Sequence, residues 1–334
     1  MRREVMRERE RERERERKRS EQQKSGFSFL SFFPSHAREE KPNLKKQVMR
    51  CRNLERLAEG RKLFLKAETF QTTGSFKFRG ALNAVLSLPA VEADAGVVTH
   101  SSGNHGAALA KAAAVRGVKA TIIMPEGTPR VKAAAARAYG AEVITCPRSG
   151  GMAAREAAAA AVVAETKATL IPPYNHPAVM AGQGTLALEL LAAVPNLDVI
   201  VVPISGGGLA SGVAVAAKAL TNGRILVIAA EPRGRDSKPC AADAAASKLK
   251  GEIVKSMPAP ETVADGLRGQ LGSLTFPVVR SLVDAIVVVS ESEIIDATRL
   301  VMERAKVLVE PSGAAALAAV LSPEFAKVVD GVEG

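Results

Sequence analysis

The sequence predicts an α/β fold of open, twisted, mostly parallel sheets with helices on both faces, arranged in two lobes. Three observations predict it. Short β-branched runs recur along the chain, each is followed by a turn and an alanine-rich helical stretch, and glycine closes several of those stretches. Apolar runs of this length alternating with helices suit a parallel sheet covered on both faces.

The elements follow in order. "AGVVTHSSGNHG" leads into the helical "AALAKAAAVRG", and "VKATIIMPEGTP" leads into "RVKAAAARAYG". "AEVITCP" supplies the next strand. "LDVIVVPISGGG" then feeds the helix "LASGVAVAAKAL", and "GRILVIAAEP" returns as a strand. In open sheets of this kind ligands sit at the carboxyl ends of strands, against helix N-termini, so the loops after these strands are where function is expected.

The 334 residues suffice for two domains, and 47% hydrophobic with 24% charged residues is a globular balance. Aromatics make up only 4%, with no Trp, so the core is aliphatic and base-stacking nucleic-acid recognition is disfavoured. The net charge of +11 is unevenly spread. Residues 1–50 hold 16 of the 46 basic and 9 of the 35 acidic residues, so most of the excess belongs to a tail. There "RERERERERKR" alternates sign at every residue, which puts both signs on every helix face and makes no core-facing stripe. The tail is expected to be disordered or a solvated helix. "FSFLSFFPS" is too short to span a bilayer or to serve as a signal peptide, and transit peptides are poor in acids. Cys51, Cys146 and Cys240 are scattered and odd in number, which suits reduced cytoplasmic thiols rather than a disulfide framework or zinc site.

Three loops carry the chemistry. "PISGGGLASG" (203–212) lets backbone approach an anion, with a helix N-terminus behind it. It is neither a Walker A loop nor a dinucleotide fingerprint, so it suits a single phosphate. "THSSGNHGAAL" (99–109) offers hydroxyls, an amide and an imidazole at a helix start, a set suited to a carboxylate. A helix cap would account for one such residue but not for Ser101, Ser102, Asn104 and His105 together. Lys77, between Phe76 and Phe78, is a candidate for burial, and a desolvated lysine becomes a nucleophilic amine able to form a Schiff base. Such a lysine, a single-phosphate cup and a carboxylate loop together describe pyridoxal phosphate and an amino acid.

At these residues the chain resembles the fold-type II pyridoxal-phosphate enzymes, specifically the serine racemase and serine/threonine dehydratase group, with plant-type serine racemase nearest. The resemblance runs from Arg61 to Ala326, through "GSFKFRGALNA", "THSSGNHGAALA", "PAVMAGQGTLALE", "VVPISGGGL", "ADGLR" and "VEPSGAAALAAVLS". It implies Lys77 as the Schiff-base lysine and the base on one cofactor face, with Ser102 on the other; two opposed bases are what racemisation requires. It implies Phe76, Asn104, Ser205, Gly206, Gly207, Gly208, Leu209, Gly266 and Glu310 around the cofactor. Ser101, Ser102, His105 and Arg155 would hold the substrate carboxylate. Glu231, the Ala241 carbonyl and Asp243 would hold a divalent cation such as Mg²⁺, Ca²⁺ or Mn²⁺.

The implied activity is interconversion of L- and D-serine together with ammonia loss from serine or threonine, in a cytoplasmic homodimer. The implied boundaries are a large cofactor-binding domain over 51–95 and 177–334 and a small domain over 96–176. Closure of the small lobe would exclude water. No nucleic-acid or membrane partner is expected. The chain departs from the family pattern in ending at "FAKVVDGVEG" without the usual strand and "SGGN" turn, in its charged front, and in extra residues within "EPRGRDSKPCAADAAASKLKG". These departures keep a catalytically impaired cofactor-binding homologue as one alternative. A catabolic threonine dehydratase with little racemase activity is another.

Overall fold

A computed structural model describes residues 48–101, 103–235, 241–255 and 261–331, which form one compact unit. The charge-alternating tail, the "FSFLSFFPS" stretch, Ser102 and Cys240 lie outside the described residues.

Strands β1 (Val48–Arg50) and β2 (Phe64–Lys66) pair antiparallel, Val48 opposite Lys66. β3 (Val97–Thr99), β4 (Ala120–Pro125), β5 (Glu142–Cys146) and β6 (Thr169–Leu170) form a parallel sheet in the order β5-β4-β3-β6. β7 (Val199–Pro203), β8 (Leu226–Pro232) and β9 (Ala285–Val289) form a second parallel sheet in that order. The five strands expected from the β-branched runs are all present and all parallel. β6, β9 and the β1–β2 pair are additional.

Period-two alternation explains why successive residues of these strands are apolar on both sides. In the first sheet Val97 and Ile122 enter a core with Phe78, Leu82, Val85 and Leu109, while their neighbours Val98 and Ile123 enter another with Cys146 and Ala159. In the second sheet Val227 and Ala229 face a core containing Leu186, Ile200, Val202 and Val213, while Ile228 and Ala230 face one containing Val287, Ile294, Leu317 and Phe325. Strands covered on both faces are mostly apolar for this reason, and the buried polar residues Thr99 and Glu231 fall at or near their carboxyl ends.

The helices between strands are mostly alanine-rich. That composition keeps side-chain entropy loss low and allows close packing. Asn104–Arg116 follows β3, Gly208–Leu220 follows β7, and Lys77–Leu86 packs against both Asn104–Arg116 and Pro177–Ala193. The Ser290 hydroxyl and Glu293 carboxylate make a reciprocal capping box that starts Glu291–Leu300 after β9. Among the described residues no single helix is long and apolar enough to cross a membrane.

Phe78 is fully buried in the core beneath the first sheet. Phe78→Ala is expected to lower unfolding free energy by about 3–5 kcal/mol in urea denaturation. A loss below about 1 kcal/mol would contradict this placement.

Candidate active site

Lys77 is the first residue of its helix. Phe76, just before it, packs against the core of the second sheet, and Phe78, just after it, is buried in the core of the first. The lysine therefore emerges at the seam between two cores. Its Nζ donates to the Pro173 carbonyl at 2.9 Å and lies 5.1 Å from the Phe76 ring centre. Lys77 as a whole is part-buried, but its amine is enclosed by protein. Lost hydration lowers the amine's pKa from 10.5 to about 8, against a smaller upward pull from the Glu310 carboxylate. An amine of that pKa keeps a neutral fraction near physiological pH far larger than an ordinary lysine does, and that fraction can act as nucleophile or base.

Glu310 stands at the N-cap of Pro311–Leu321 and accepts two hydrogen bonds from Asn104 Nδ2, at 3.0 and 3.2 Å. A Cβ on Gly266 would lie 2.9 Å from Ser312 Oγ and 3.9 Å from Glu310 Oε1, so Gly266 lines the same corner. The structure thus brings Lys77, Asn104, Gly266 and Glu310 together.

The glycine loop follows β7. Gly207 has φ +83°, a left-handed conformation that favours glycine. A Cβ on Gly206 would sit 2.4 Å from the Tyr174 ring. The amides of Gly208 and Leu209 open the Gly208–Leu220 helix, where first-turn N–H groups have no intrahelical acceptor. They are available to an anion. Ser205 is placed differently from a simple phosphate ligand. Its hydroxyl already accepts from the Gly269 amide at 2.8 Å and braces that loop.

Tyr174 and Pro173 escape a reading of sequence motifs. Pro173 receives the Lys77 amine while Tyr174 lies against Gly206 and Gly208, so one dipeptide joins lysine and glycine loop. Its signal is present: "IPPYN" directly follows β6 at the carboxyl end of the first sheet. Burial, followed by the Asp243 and Glu156 carboxylates, raises the Tyr174 hydroxyl pKa.

His105 is buried, and its Nε2 lies 3.0 Å from the Ile171 carbonyl. A carbonyl only accepts, so Nε2 carries the proton and Nδ1 is left as an acceptor without a partner among the described residues. Burial, then the Lys77 charge, lowers the imidazole to about 3. A neutral ring whose one N–H is already used cannot donate to a carboxylate. Any such contact would come from the His105 backbone amide, in the first turn of Asn104–Arg116. Ser101 is part-buried, and its carbonyl packs against Gly106. The Arg155 Nε donates at 3.3 Å to the Gly151 carbonyl in its own helix, its hydrogen bond among the described residues.

Glu231 at the end of β8 accepts from the amides of Ala244 and Ala245 at 2.7 and 2.8 Å. Burial pushes Glu231 up to about 8, with Asp243 adding in the same direction, and burial pushes Asp243 up to about 6. Asp243 Oδ2 is buried without a partner among the described residues, and Ala241, two positions before Asp243, is buried as well. Two carboxylates and a carbonyl make an all-oxygen donor set of the kind hard cations take. Among the described residues, no group of three or more His, Cys, Asp or Glu side chains gathers as a metal site.

Residues 43–329 match the family described as pyridoxal-phosphate dependent enzymes. The chain belongs to that family. It is 53% identical over 266 residues to the serine racemase of Arabidopsis thaliana, covering 80% of this chain and 77% of that protein. The structure of maize serine racemase superposes with a TM-score of 0.80 at 48% identity, over 84% of this chain and 82% of that one. A threonine deaminase from T.th. superposes with a TM-score of 0.80 at 42% identity, over 89% of this chain and 92% of that one. Both structures share the α/β architecture described above.

The site fits that cofactor on its own geometry. A lysine of lowered pKa has the Glu310–Asn104 polar corner as its charged neighbour, and the Pro173–Tyr174 dipeptide joins it to a glycine loop with open amides. Glu310→Gln removes the carboxylate that raises the Lys77 amine, so the amine's midpoint should fall below about 8. The pH dependence of acetic anhydride labelling at Lys77, followed by mass spectrometry, measures it. A midpoint near the ordinary lysine value of about 10.4 in both proteins would contradict the burial of this amine.

Proposed function

We propose that this chain is a pyridoxal-phosphate-dependent serine racemase that also acts as a serine/threonine ammonia-lyase. The observation that carries the proposal is the desolvated Lys77 amine, held at the Pro173 carbonyl and linked by Tyr174 to the glycine cradle. Identity of 53% to a serine racemase, and structural likeness to both a serine racemase and a threonine deaminase, support this pairing of activities.

Lys77 would bond the cofactor's aldehyde carbon, and the amides of Gly206 to Leu209 would receive its phosphate. Bound there, the pyridoxal ring supplies the electron sink that makes the substrate Cα–H acidic. The remaining work falls to the chain. The first-turn amides of Asn104 and His105 would orient the substrate carboxylate, with Ser101 beside them. Lys77 Nζ would take or return the Cα proton on one face, and Ser102 Oγ on the other. Inversion needs both, because a proton removed from one side must be replaced from the opposite side. Departure of the β-hydroxyl as water from the deprotonated substrate, followed by uptake of one water that releases the nitrogen as ammonia, would give pyruvate from serine or 2-oxobutanoate from threonine.

Glu231, Asp243 and the Ala241 carbonyl would hold a divalent cation, supported by their burial and by the unpartnered Asp243 Oδ2. The division into a large lobe (51–95 and 177–334) and a small one (96–176) is supported by the two separate sheets. A cytoplasmic homodimer completes the proposal. Exposed Phe70 and Leu308 offer an apolar face for it, drawn together by the Thr69 hydroxyl on the Leu308 carbonyl.

The test is an assay of L-serine turnover with added cofactor, reading D-serine and pyruvate separately. Wild type should form both, and Lys77→Ala neither. Ser102→Ala should lose D-serine formation by about 10²–10⁴-fold, the usual contribution of a positioned acid or base. D-serine production undiminished in Ser102→Ala would refute the two-base arrangement.

A further inference from the structure

Arg79 lies two positions beyond Lys77 on the same helix, about 200° around its axis. The two side chains therefore leave opposite sides, Lys77 toward Pro173 and Arg79 into the interior. The Arg79 guanidinium is buried and meets two carboxylates at once. Toward Glu68 its Nε donates to Oε2 at 2.7 Å and Nη2 to Oε1 at 2.8 Å. Toward Glu189 its Nη1 donates to Oε1 at 2.7 Å and Nη2 to Oε2 at 2.8 Å. Nη1 also reaches Thr185 Oγ1 at 3.1 Å. Lys66 Nζ donates to Glu189 Oε2 at 2.8 Å, so two cations balance two anions.

A neutral cluster with this many hydrogen bonds offsets the cost of burying its charges but is not by itself evidence of added stability. Its geometry is a constraint. Glu68 precedes the Lys77 helix, following β2, and Glu189 lies within Pro177–Ala193. Paired bidentate forks fix the plane of a guanidinium and its distance to both partners, which a point charge cannot do. The same helix is held further along. The Gly80 amide donates to Gln183 Oε1 at 3.2 Å, and Asn83 Nδ2 donates to the Ala178 carbonyl at 2.7 Å. A Cβ on Gly182 would stand 2.5 Å from the Arg79 carbonyl, so the two helices meet backbone to backbone.

We propose that Arg79 is a positioning residue for Lys77: its forks to Glu68 and Glu189 set the roll of the helix on which Lys77 is the first residue. This rests on Lys77 being the cofactor-binding lysine. Arg79→Lys isolates the geometry, since it keeps the positive charge among the acids but cannot span both carboxylates with a planar fork.

The experiment uses cofactor-loaded full-length protein and reads three quantities: the unfolding midpoint, the rate of borohydride trapping of pyridoxal phosphate on Lys77, and kcat and KM for L-serine. Ile294→Val, in a core cluster behind the second sheet that holds no residue of the Lys77 helix, is the comparison for lost stability alone. Arg79→Lys should slow trapping and lower kcat together by roughly tenfold to a hundredfold, the scale of a small misplacement of a reacting group, with KM within about twofold. Ile294→Val should change neither. Trapping and kcat within about twofold of wild type in Arg79→Lys would overturn the proposal, as would equal losses in Ile294→Val. If Arg79→Lys shows no cooperative unfolding, Glu189→Gln, which removes the charge but keeps the shape of one partner, is read in the same way. A wild type that traps no cofactor on Lys77 refutes the lysine's role and the proposal with it. A wild type that does, beside an unaltered Arg79→Lys, refutes the positioning alone.

Discussion

Phe76 packs against the core of one sheet and Phe78 against the core of the other, so the side chain between them emerges at the seam where the cores meet. That constraint keeps water from the Lys77 amine and draws its pKa to about 8. It also determines which neighbours the amine can have. The Pro173 carbonyl follows the short strand β6 of the first sheet, and the glycine loop follows β7 of the second. Moving the helix relative to either core would carry the amine away from one of these loops.

The rest of the site follows from where parallel strands end. β3, β6, β7 and β8 each deliver a polar segment at their carboxyl ends: "THSSGNHG", "IPPYN", "PISGGG" and the Glu231 region. Helices starting at Asn104 and Gly208 bring unpaired amides to the same region. Charge is managed differently at each place. Glu310 offsets part of the cost of protonating Lys77, whereas His105 is held neutral by burial and by its hydrogen bond to Ile171. Around Arg79 two acids and two bases form a balanced set, with the arginine buried and its partners part-buried.

Local features were legible in the sequence because their causes are local. β-branched runs followed by glycine-rich turns marked β3, β4, β5, β7 and β8, and two phenylalanines around Lys77 marked its burial. Pairing between distant segments was not legible. Tyr174 comes from a loop after a strand of only two residues, too short for a periodic signal. The Arg79–Glu189 contact joins positions 110 residues apart, and nothing local distinguishes Glu189 from a solvated acid. The donor role of His105 Nε2 depends on a carbonyl 66 residues away. Arg155 carries a motif resemblance, yet its contact is within its own helix. A residue type at a familiar spacing specifies a candidate, and only the fold specifies what its side chain meets.

On this account Lys77, and no other lysine, is the residue to which pyridoxal phosphate attaches. Borohydride reduction of the cofactor-loaded protein makes that bond permanent, and peptide mapping by mass spectrometry locates it. A phosphopyridoxyl group on the peptide containing Lys77 is the predicted result. A modification confined to another lysine, or no modified peptide from a folded protein saturated with cofactor, would contradict it.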